Sequence, residues 1–378
     1  MAMDEVRPRS TWKILQSAIF YIDWWLILLL ALLMGFSLVI LNSAAESGGT
    51  VLRQAIRFAA AWGLFGLFLC LPAGKIRQIT PVVYVFTLIL LLLVLLMGSH
   101  AGGAQRWLNI GIARIQPSEL AKLSVPMMVA WYLTRQARPP NLFTVLISLV
   151  IIAVPAYMIL DQPDLGTALL VAASGIIALF LAGLPWWLIG VGAVMAAIAL
   201  PLFWMFGIKA YQRERVLTLF NPEADPFGAG YHIIQSQIAI GSGGVFGKGY
   251  GEGTQSQLSF LPESTTDFVF SVIAEELGLF GVSLLLLAYL LLILRGLYLS
   301  TRLNNRFARI LVAAIFLSFF INIFVNIGMV SGFLPVVGLP LALISYGGSS
   351  VLSLMAGFAI AVNLIGGYKQ SPKQEHFS

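Results

Sequence analysis

The chain has 378 residues, of which 59% are hydrophobic and only 10% are charged, with 22 Lys and Arg against 16 Asp and Glu. Soluble domains contain roughly a quarter charged residues and disordered chains are poor in apolar residues, so the composition excludes both classes. The apolar residues form continuous blocks, which also excludes the alternating segments of a membrane β-barrel. With a mean hydropathy of +0.91, the sequence predicts an all-α, polytopic membrane helical bundle that forms a single integral membrane domain over residues 1–378.

Ten apolar blocks approach the length of about 20 residues that a helix needs to cross a bilayer. The predicted transmembrane spans run approximately over 24–42, 54–72, 80–98, 117–134, 143–160, 165–183, 187–207, 268–294, 308–330 and 346–366. The fourth block differs from the others because it opens with two ionisable residues, Glu119 and Lys122.

The distribution of basic residues predicts the orientation of the chain. An even number of spans places both termini on one side, and most of the 22 Lys and Arg residues fall on that side, which the positive-inside rule assigns to the cytoplasm. The N-terminal segment 1–23 and the tail 367–378 are therefore predicted to be cytoplasmic. The long connection 208–267, between spans seven and eight, becomes a large periplasmic loop, and its many aromatic and aliphatic residues predict that it folds back onto the outer face.

Seven cations on the predicted outer side form the first candidate for a binding site. The positive-inside rule gives no reason for their position, and arginine matches the geometry of phosphate. A diphosphate attached to a lipid is therefore the candidate ligand, although a structural ion pair remains the alternative for any one of them. The residues are Arg106, Arg114, Lys122, Lys209, Arg213, Arg215 and Lys248.

A glycine-rich segment, 241–251, surrounds Lys248. It does not match a phosphate-binding P-loop, because Ser242 and Gly249 stand where that motif requires Gly and Ser or Thr. Two interpretations stay open: a flexible re-entrant turn, or an anion cradle in which bare backbone N–H groups lie beside Lys248.

Acidic residues near the predicted outer surface supply candidates for chemistry. Glu119 and Lys122 share a helix face, and an ionisable pair that enters an apolar block indicates a functional site, with a helix-end ion pair as the alternative. Asp164 is placed where the sixth span begins, so it could cap that helix. Capping does not explain Asp161 as well.

The remaining carboxylates lie around the start of span eight. Asp267 is placed where that helix begins, so a helix cap is the structural alternative to a functional role. Glu275 and Glu276 follow two turns deeper, where each needs a partner inside the bundle. A carboxylate at a hydrated, amphipathic edge could act as a general base near neutral pH.

Four motifs, in order along the chain, resemble those of the SEDS family (shape, elongation, division and sporulation). They are QPSELAKL at 116–123, QPDLGT at 162–167, LPESTTDFVFSVIAEELG at 261–278 and ISYGGSS at 344–350. The ten-span layout agrees, so the resemblance covers essentially the whole chain. The segments GYHIIQSQIAIGSGG at 230–244 and GTQSQLSFLPE at 253–263 resemble the elongation branch of the family more than its division branch.

The resemblance implies a peptidoglycan glycosyltransferase of the bacterial inner membrane that polymerises lipid II during cell elongation. It places the essential aspartate of the family at Asp267. The residues that it assigns to the substrate are Arg106, Arg114, Gln116, Glu119, Lys122 and Asp164. The outer cations add Arg213 and Lys248, and the buried glutamates of span eight add Glu276.

Lipid II is an undecaprenyl diphosphate disaccharide, and its polymerisation inverts an α linkage to a β linkage. Such a transfer needs a base for the acceptor hydroxyl and cations for the departing diphosphate. Asp267 is the predicted base. No cofactor is required by this scheme and no metal site is predicted, although Asp161 and Asp164 could help to hold a divalent cation (Mg or Mn).

The resemblance also implies partners. A class B penicillin-binding protein, which is a monofunctional transpeptidase, cross-links the product, and other elongation-complex proteins and the membrane surround the chain; no nucleic acid is expected. Two alternative functions stay open: a lipid II flippase that makes no bond, and a non-catalytic scaffold of the elongation complex. A carboxylate on the periplasmic side that is essential for polymer formation by the purified protein would separate the enzyme from both.

Overall fold

A computed structural model describes residues 22–45, 48–101, 104–109, 114–136, 139–207, 210–224, 228–258, 260–261 and 263–369. The predictions for nearly all of the N-terminal segment, for Lys209 and for most of the C-terminal tail lie outside these residues.

Helices make up most of the described structure. The first seven are α1 (Trp24–Ala44), α2 (Gly48–Leu69), α3 (Ala73–Met97), α4 (Pro117–Leu133), α5 (Leu142–Asp161), α6 (Leu165–Leu181) and α7 (Trp186–Leu202), which continues into a π-helical turn over Phe203–Gly207. The others are α8 (Ala210–Phe220), α9 (Ala229–Ser242), the single turn α10 (Thr254–Gln257), α11 (Val269–Thr301), α12 (Arg306–Val330) and α13 (Ser349–Lys369), with a 3-10 turn over Pro222–Ala224. Between α3 and α4, the antiparallel strands β1 (Ser99–Ala101), β2 (Ala104–Asn109) and β3 (Arg114–Ile115) form a small sheet in the order β1-β2-β3.

A helix lies at each predicted block, and the described residues contain six that are long and apolar enough to cross a membrane. These are α1, α3, α5, α11, α12 and the Ser349–Gly367 part of α13. The apolar helix α6 and the start of α7 are shorter. The polytopic helical class is therefore confirmed, while the count of ten spans stays a prediction.

The fourth block, which opens with ionisable residues, forms a central helix of the bundle. α4 begins with Pro117 in its first turn, where the missing N–H costs no hydrogen bond. Its side chains are largely buried, including Ala121, Val125 and Val129, because α3, α5, α6, α12 and α13 pack around it. The polar start of this block thus faces other helices.

Side-chain hydrogen bonds join the loops at the end of the bundle opposite to Asp267. Arg306, at the start of α12, donates to the carbonyl oxygens of Gln136 and Ala182, each at 3.4 Å. Asn363 on α13 donates to the carbonyl of Leu71 at 2.7 Å. These contacts connect the loops that follow α2, α4 and α6 to the start of α12 and to α13.

The long loop after α7 folds back onto the bundle, as its apolar residues predict. Helix α9 packs on α11, and Ser236 joins it to two neighbours. The Ser236 hydroxyl donates to the carbonyl of Val330 on α12 at 2.6 Å and lies 2.7 Å from the hydroxyl of Ser271 on α11. The loop is therefore in direct contact with the helices that carry the candidate site.

Candidate active site

Asp267 lies just before α11, at the end of the bundle where α12 ends and α13 begins. Three consecutive carbonyl oxygens of this segment accept hydrogen bonds from α12 and from the loop before α13. The pairs are Tyr346 N to Thr265 O (2.8 Å), Ser345 Oγ to Thr266 O, and Asn326 Nδ2 to Asp267 O (3.0 Å). The backbone of Asp267 is thus fixed relative to two other parts of the bundle.

The Asp267 side chain does not cap α11. The N-cap residue of this helix is Phe268, and no side chain makes a capping hydrogen bond there. The structural alternative of a helix cap is therefore wrong for Asp267. It is correct for Asp164, whose Oδ1 accepts from the backbone N–H of Thr167 at 3.2 Å at the start of α6.

The surroundings of Asp267 change its acidity. Burial of the carboxyl group, together with the negative charge of Glu263, raises the pKa of Asp267 to about 6, although the cations Arg106 and Arg215 act in the opposite direction. A carboxyl group that titrates near neutral pH can be deprotonated at rest and still accept a proton during a reaction. These properties suit a general base.

Three of the predicted site residues meet in a cluster next to Asp267. Arg106 on β2 donates to the carbonyl of Pro163, and its Nε lies 3.8 Å from Oδ2 of Asp164. Gln116 donates to the same Oδ2 at 3.2 Å. The Arg106 side chain keeps 24% of its surface exposed, so its guanidinium contacts the Asp164 loop while it remains reachable from outside and acts electrostatically on Asp267.

Two further predicted residues form a second cluster deeper in the bundle. The Lys122 ammonium lies 2.7 Å from Oε1 of Glu119, and the hydroxyl of Ser353 donates to Oε2 of Glu119 at 3.1 Å. The pair lines a cavity between α4, α6, α12 and α13, and Ser318 and Asn322 line the same cavity. Among the described residues, Ser318 Oγ and Asn322 Oδ1 have no hydrogen-bond partner, which indicates a place for water or a polar ligand.

The glycine-rich segment does not form an anion cradle. The backbone N–H groups of Lys248 and Gly249 donate to the carbonyls of Glu275 and Glu276, each at 3.0 Å. The Lys248 ammonium lies 2.6 Å from Oε1 of the fully buried Glu275. The cradle interpretation is therefore wrong, because the segment is bound to α11 through its backbone and its lysine.

The other predicted site residues make no hydrogen bond or ion pair to the two clusters within the described part of the chain. Arg114 on β3 is exposed, and Arg213 on α8 is exposed with its Cζ 5.6 Å from the ring centre of Trp204. Glu276 is fully buried, and its Oε1 accepts from the hydroxyl of Ser43 at 2.5 Å. The role of these three residues in substrate binding stays a prediction.

Two arginines on α2 lie beside the Asp267 segment, and the site predicted from the sequence did not include them. Arg57 lies over the ring of Tyr346 at 4.2 Å, and Arg53 donates to the Tyr346 hydroxyl at 3.1 Å. The available signal was their position on the predicted outer side, where the positive-inside rule disfavours cations. A polar residue within the apolar block 308–330, Asn326, was a comparable signal.

Asp161 and Asp164 are poorly placed to hold a divalent cation. Asp161 is exposed, whereas the oxygens of Asp164 already accept from Thr167 and Gln116 and face Arg106. Among the described residues, no group of three or more His, Cys, Asp and Glu is arranged to hold a metal ion. A divalent cation in the reaction stays an untested prediction.

The fold and the site define a class: a helical membrane protein with an acidic residue and several arginines at one end of its bundle. The chain belongs to the FtsW/RodA/SpoVE family, whose model, described as a cell cycle protein, matches residues 17–369. This match confirms the resemblance to the SEDS family.

Relatives and solved structures support the assignment along most of the chain. The peptidoglycan glycosyltransferase MrdB of Escherichia coli (strain K12) is 50% identical over 339 residues, which cover 90% of this chain and 92% of that protein. A chain from a structure described as "Structural coordination of polymerization and crosslinking by a peptidoglycan synthase complex" matches with a TM-score of 0.83 and 32% identity, over 92% of this chain and 99% of that one. The rod shape determining protein RodA of Thermus thermophilus matches with a TM-score of 0.69 and 29% identity, over 91% and 96%.

Proposed function

We propose that this protein is a peptidoglycan glycosyltransferase that polymerises lipid II into glycan strands during cell elongation. The proposal rests above all on Asp267, a carboxylate with a pKa of about 6 that is fixed through its backbone and faces arginine side chains. The 50% identity to a peptidoglycan glycosyltransferase supports it.

In this function Asp267 is the general base. Its carboxylate accepts the proton of the acceptor hydroxyl as that oxygen attacks the anomeric carbon of the donor sugar. The new glycosidic bond forms as the bond between the anomeric carbon and the diphosphate oxygen breaks, and the bonding electrons leave with undecaprenyl diphosphate. Attack from the side opposite to the leaving group inverts the anomeric configuration. A positioned base contributes typically 10²–10⁴-fold to such a step.

The arginines near Asp267 stabilise the departing diphosphate. Arg106 is partly exposed and acts electrostatically on Asp267, and Arg53 and Arg57 lie beside the loop that binds the Thr265 carbonyl. Arginine donates several hydrogen bonds in a fixed geometry that matches phosphate oxygens. Negative charge that develops on the leaving group is therefore met by preorganised cations.

The chemistry also requires a location and a partner. We place the Asp267 end on the periplasmic side of the bacterial inner membrane, with both termini in the cytoplasm, because most basic residues of the loops lie at the other end. A class B penicillin-binding protein that cross-links the glycan is the proposed partner. The structural relative described as part of a peptidoglycan synthase complex supports this assignment.

Transport of lipid II across the membrane is the main alternative. A flippase must present polar groups to the headgroup from both sides in turn. Here side-chain contacts of Arg306 and Asn363 join the loops at the opposite end of the bundle, whereas Asp267 and the Arg106–Asp164 pair lie together at the other end. This asymmetry favours a single site that is open to one side.

Reconstitution tests the enzyme against the flippase and the scaffold. The purified protein, alone and with a class B penicillin-binding protein, is placed in liposomes that carry labelled lipid II only in the leaflet facing the Asp267 end. We expect glycan polymer there, more of it with the partner, and no transfer of lipid II between leaflets. Rapid transbilayer movement without polymer would support the flippase, and neither polymer nor movement would support the scaffold.

The pH dependence of the reaction follows from the raised pKa of Asp267. The base must be deprotonated, so kcat/KM is expected to be constant above a pH of about 6 and to fall about tenfold per pH unit below it. Because the carboxylate of Glu263 raises this pKa, Glu263→Gln should move the midpoint to lower pH. Polymerisation rates between pH 5 and 8 measure both effects, and a profile that is flat through pH 6 would contradict the assignment.

A further inference from the structure

We propose that residues 243–249 form a clasp on α11, and that the Lys248–Glu275 ion pair in it is a positioning device for Asp267. In this proposal Lys248 acts through α11 and does not contact the diphosphate. The inference rests on the proposed function, because it concerns the placement of the catalytic base.

The clasp replaces the hydrogen bonds that α11 loses at a break. Gly278 has φ 64° and ψ −165°, which interrupts the helix. In a continuous helix the N–H groups of Leu279 and Phe280 would bond to the carbonyls four residues earlier. Here all four groups bond to the clasp instead: Leu279 N to Gly244 O (3.0 Å), Phe280 N to Val245 O (2.9 Å), Lys248 N to Glu275 O (3.0 Å) and Gly249 N to Glu276 O (3.0 Å).

Glycine is required at three points of this contact. A Cβ atom on Gly243 would overlap the carbonyl oxygen of Ala274, and one on Gly247 would overlap that of Glu276. A Cβ on Gly278 would overlap the backbone nitrogen of Gly247. The obstructing atoms belong to the backbone, which cannot move aside as a flexible side chain can, so these glycines are explained by the close approach of two chain segments.

Side-chain bonds also stabilise the contact between the clasp and α11. The Lys248 ammonium lies 2.6 Å from Glu275 Oε1 and also donates to the hydroxyl of Thr254 at 2.8 Å. The backbone N–H of Gln255 donates to the Glu275 carboxylate at 3.1 Å. Glu275 is fully buried, and removal of one partner of a buried pair leaves an uncompensated charge. The pair therefore links the clasp to α11 more firmly than its backbone bonds alone.

The part of α11 before the break connects the clasp to Asp267. This part begins at Val269, directly after the Asp267 segment, and ends at the break. Its N-terminal end is held by the bonds to the Thr265 and Asp267 carbonyls, and its C-terminal end is held by the clasp. Without the clasp the C-terminal end can tilt and move the Asp267 carboxylate. A displacement of about 1 Å can lower a rate about 10²-fold.

The test measures kcat and the KM for lipid II separately, with the melting temperature and monodispersity of each purified variant. Lys248→Met is expected to lower kcat about 10- to 100-fold with KM within about twofold of the wild type. Glu275→Gln should give the same pattern, although it leaves the lysine charge in place, and Lys248→Arg should retain most of kcat. A combined Lys248→Met and Glu275→Gln variant should lose no more than either single change.

A glycine pair supplies the matched control. Gly247 and Gly251 both have φ 78°, a value that L-residues rarely adopt, but only at Gly247 does a Cβ meet backbone atoms. Gly247→Ala should lower kcat, whereas Gly251→Ala should retain it.

Several outcomes decide between positioning and binding. A raised KM with unchanged kcat in Lys248→Met would make Lys248 a substrate contact and overturn the proposal, as would normal kinetics in both Lys248→Met and Glu275→Gln. Should Lys248→Met fail to fold, Glu275→Gln and the glycine pair give the decision. Absence of polymer with the wild type would count against the proposed function itself, whereas an active wild type with unaffected variants would count against the clasp alone.

Discussion

Asp267→Asn is expected to lower the rate of glycan polymerisation about 10²–10⁴-fold, because an amide cannot accept the proton of the attacking hydroxyl. The side chain keeps its size, and the backbone bonds of the segment to Tyr346 and Asn326 do not involve the carboxylate. The loss should therefore appear in kcat, with an unchanged melting temperature. The measurement is the initial rate of polymer formation by the purified variant.

The control for this change is Asp161→Asn, which removes an exposed carboxylate at the same end of the bundle and should leave the rate unchanged. Glycan ladders of normal length and rate from well-folded Asp267→Asn protein would refute the assignment of the base. An equal loss in both variants would indicate a general effect of negative charge at this end.

Arg106→Ala is expected to reduce kcat/KM for lipid II about 10- to 200-fold. This corresponds to the loss of a charge-assisted hydrogen bond, which contributes about 1.5–3 kcal/mol. Arg106→Lys should recover only part of the activity, since lysine keeps the charge but lacks the planar guanidinium. The kinetics are measured with purified variants over a range of lipid II concentrations.

Lys75→Ala serves as the comparison, because it removes a cation near the start of α3, at the opposite end of the bundle. Equal kinetics for the Arg106 and Lys75 variants would show that the cation next to Asp267 does not act on the diphosphate. Since Arg106 also pairs with Asp164, a fall in the melting temperature of Arg106→Ala that Arg106→Lys restores would reveal its additional structural role.

The helical membrane class could be predicted because burial in lipid demands long apolar blocks, and these are visible in the sequence. The residues at which helices begin were harder to predict. Helix α2 begins at Gly48 rather than at residue 54, since polar residues such as Arg53 and Gln54 lower its apolarity where it faces the candidate site. Helix α13 begins at Ser349 rather than at 346, because Tyr346 is used in the loop that holds the Thr265 carbonyl.

The site was predicted in part. Resemblance to the family indicated Asp267, and the ion pair of Glu119 with Lys122 follows from helical spacing. The contact between Arg106 and Asp164 could not be derived, because it depends on how a sheet and a distant loop pack together. The glycine-rich segment was misinterpreted for a related reason. Glycines indicate that something approaches the backbone closely, but not whether it is a ligand or, as here, a helix of the same chain.

The break at Gly278 also affects how deep the site lies in the membrane. The 33 residues of α11 would measure about 50 Å as one straight helix, whereas the hydrocarbon core of a bilayer is about 30 Å thick. The part from Leu279 to Thr301 alone measures about 34 Å and can cross this layer unaided. The part before the break is then not needed to cross the hydrocarbon layer. Asp267, which precedes that part, is therefore expected to lie outside the hydrocarbon layer, where a diphosphate can reach it.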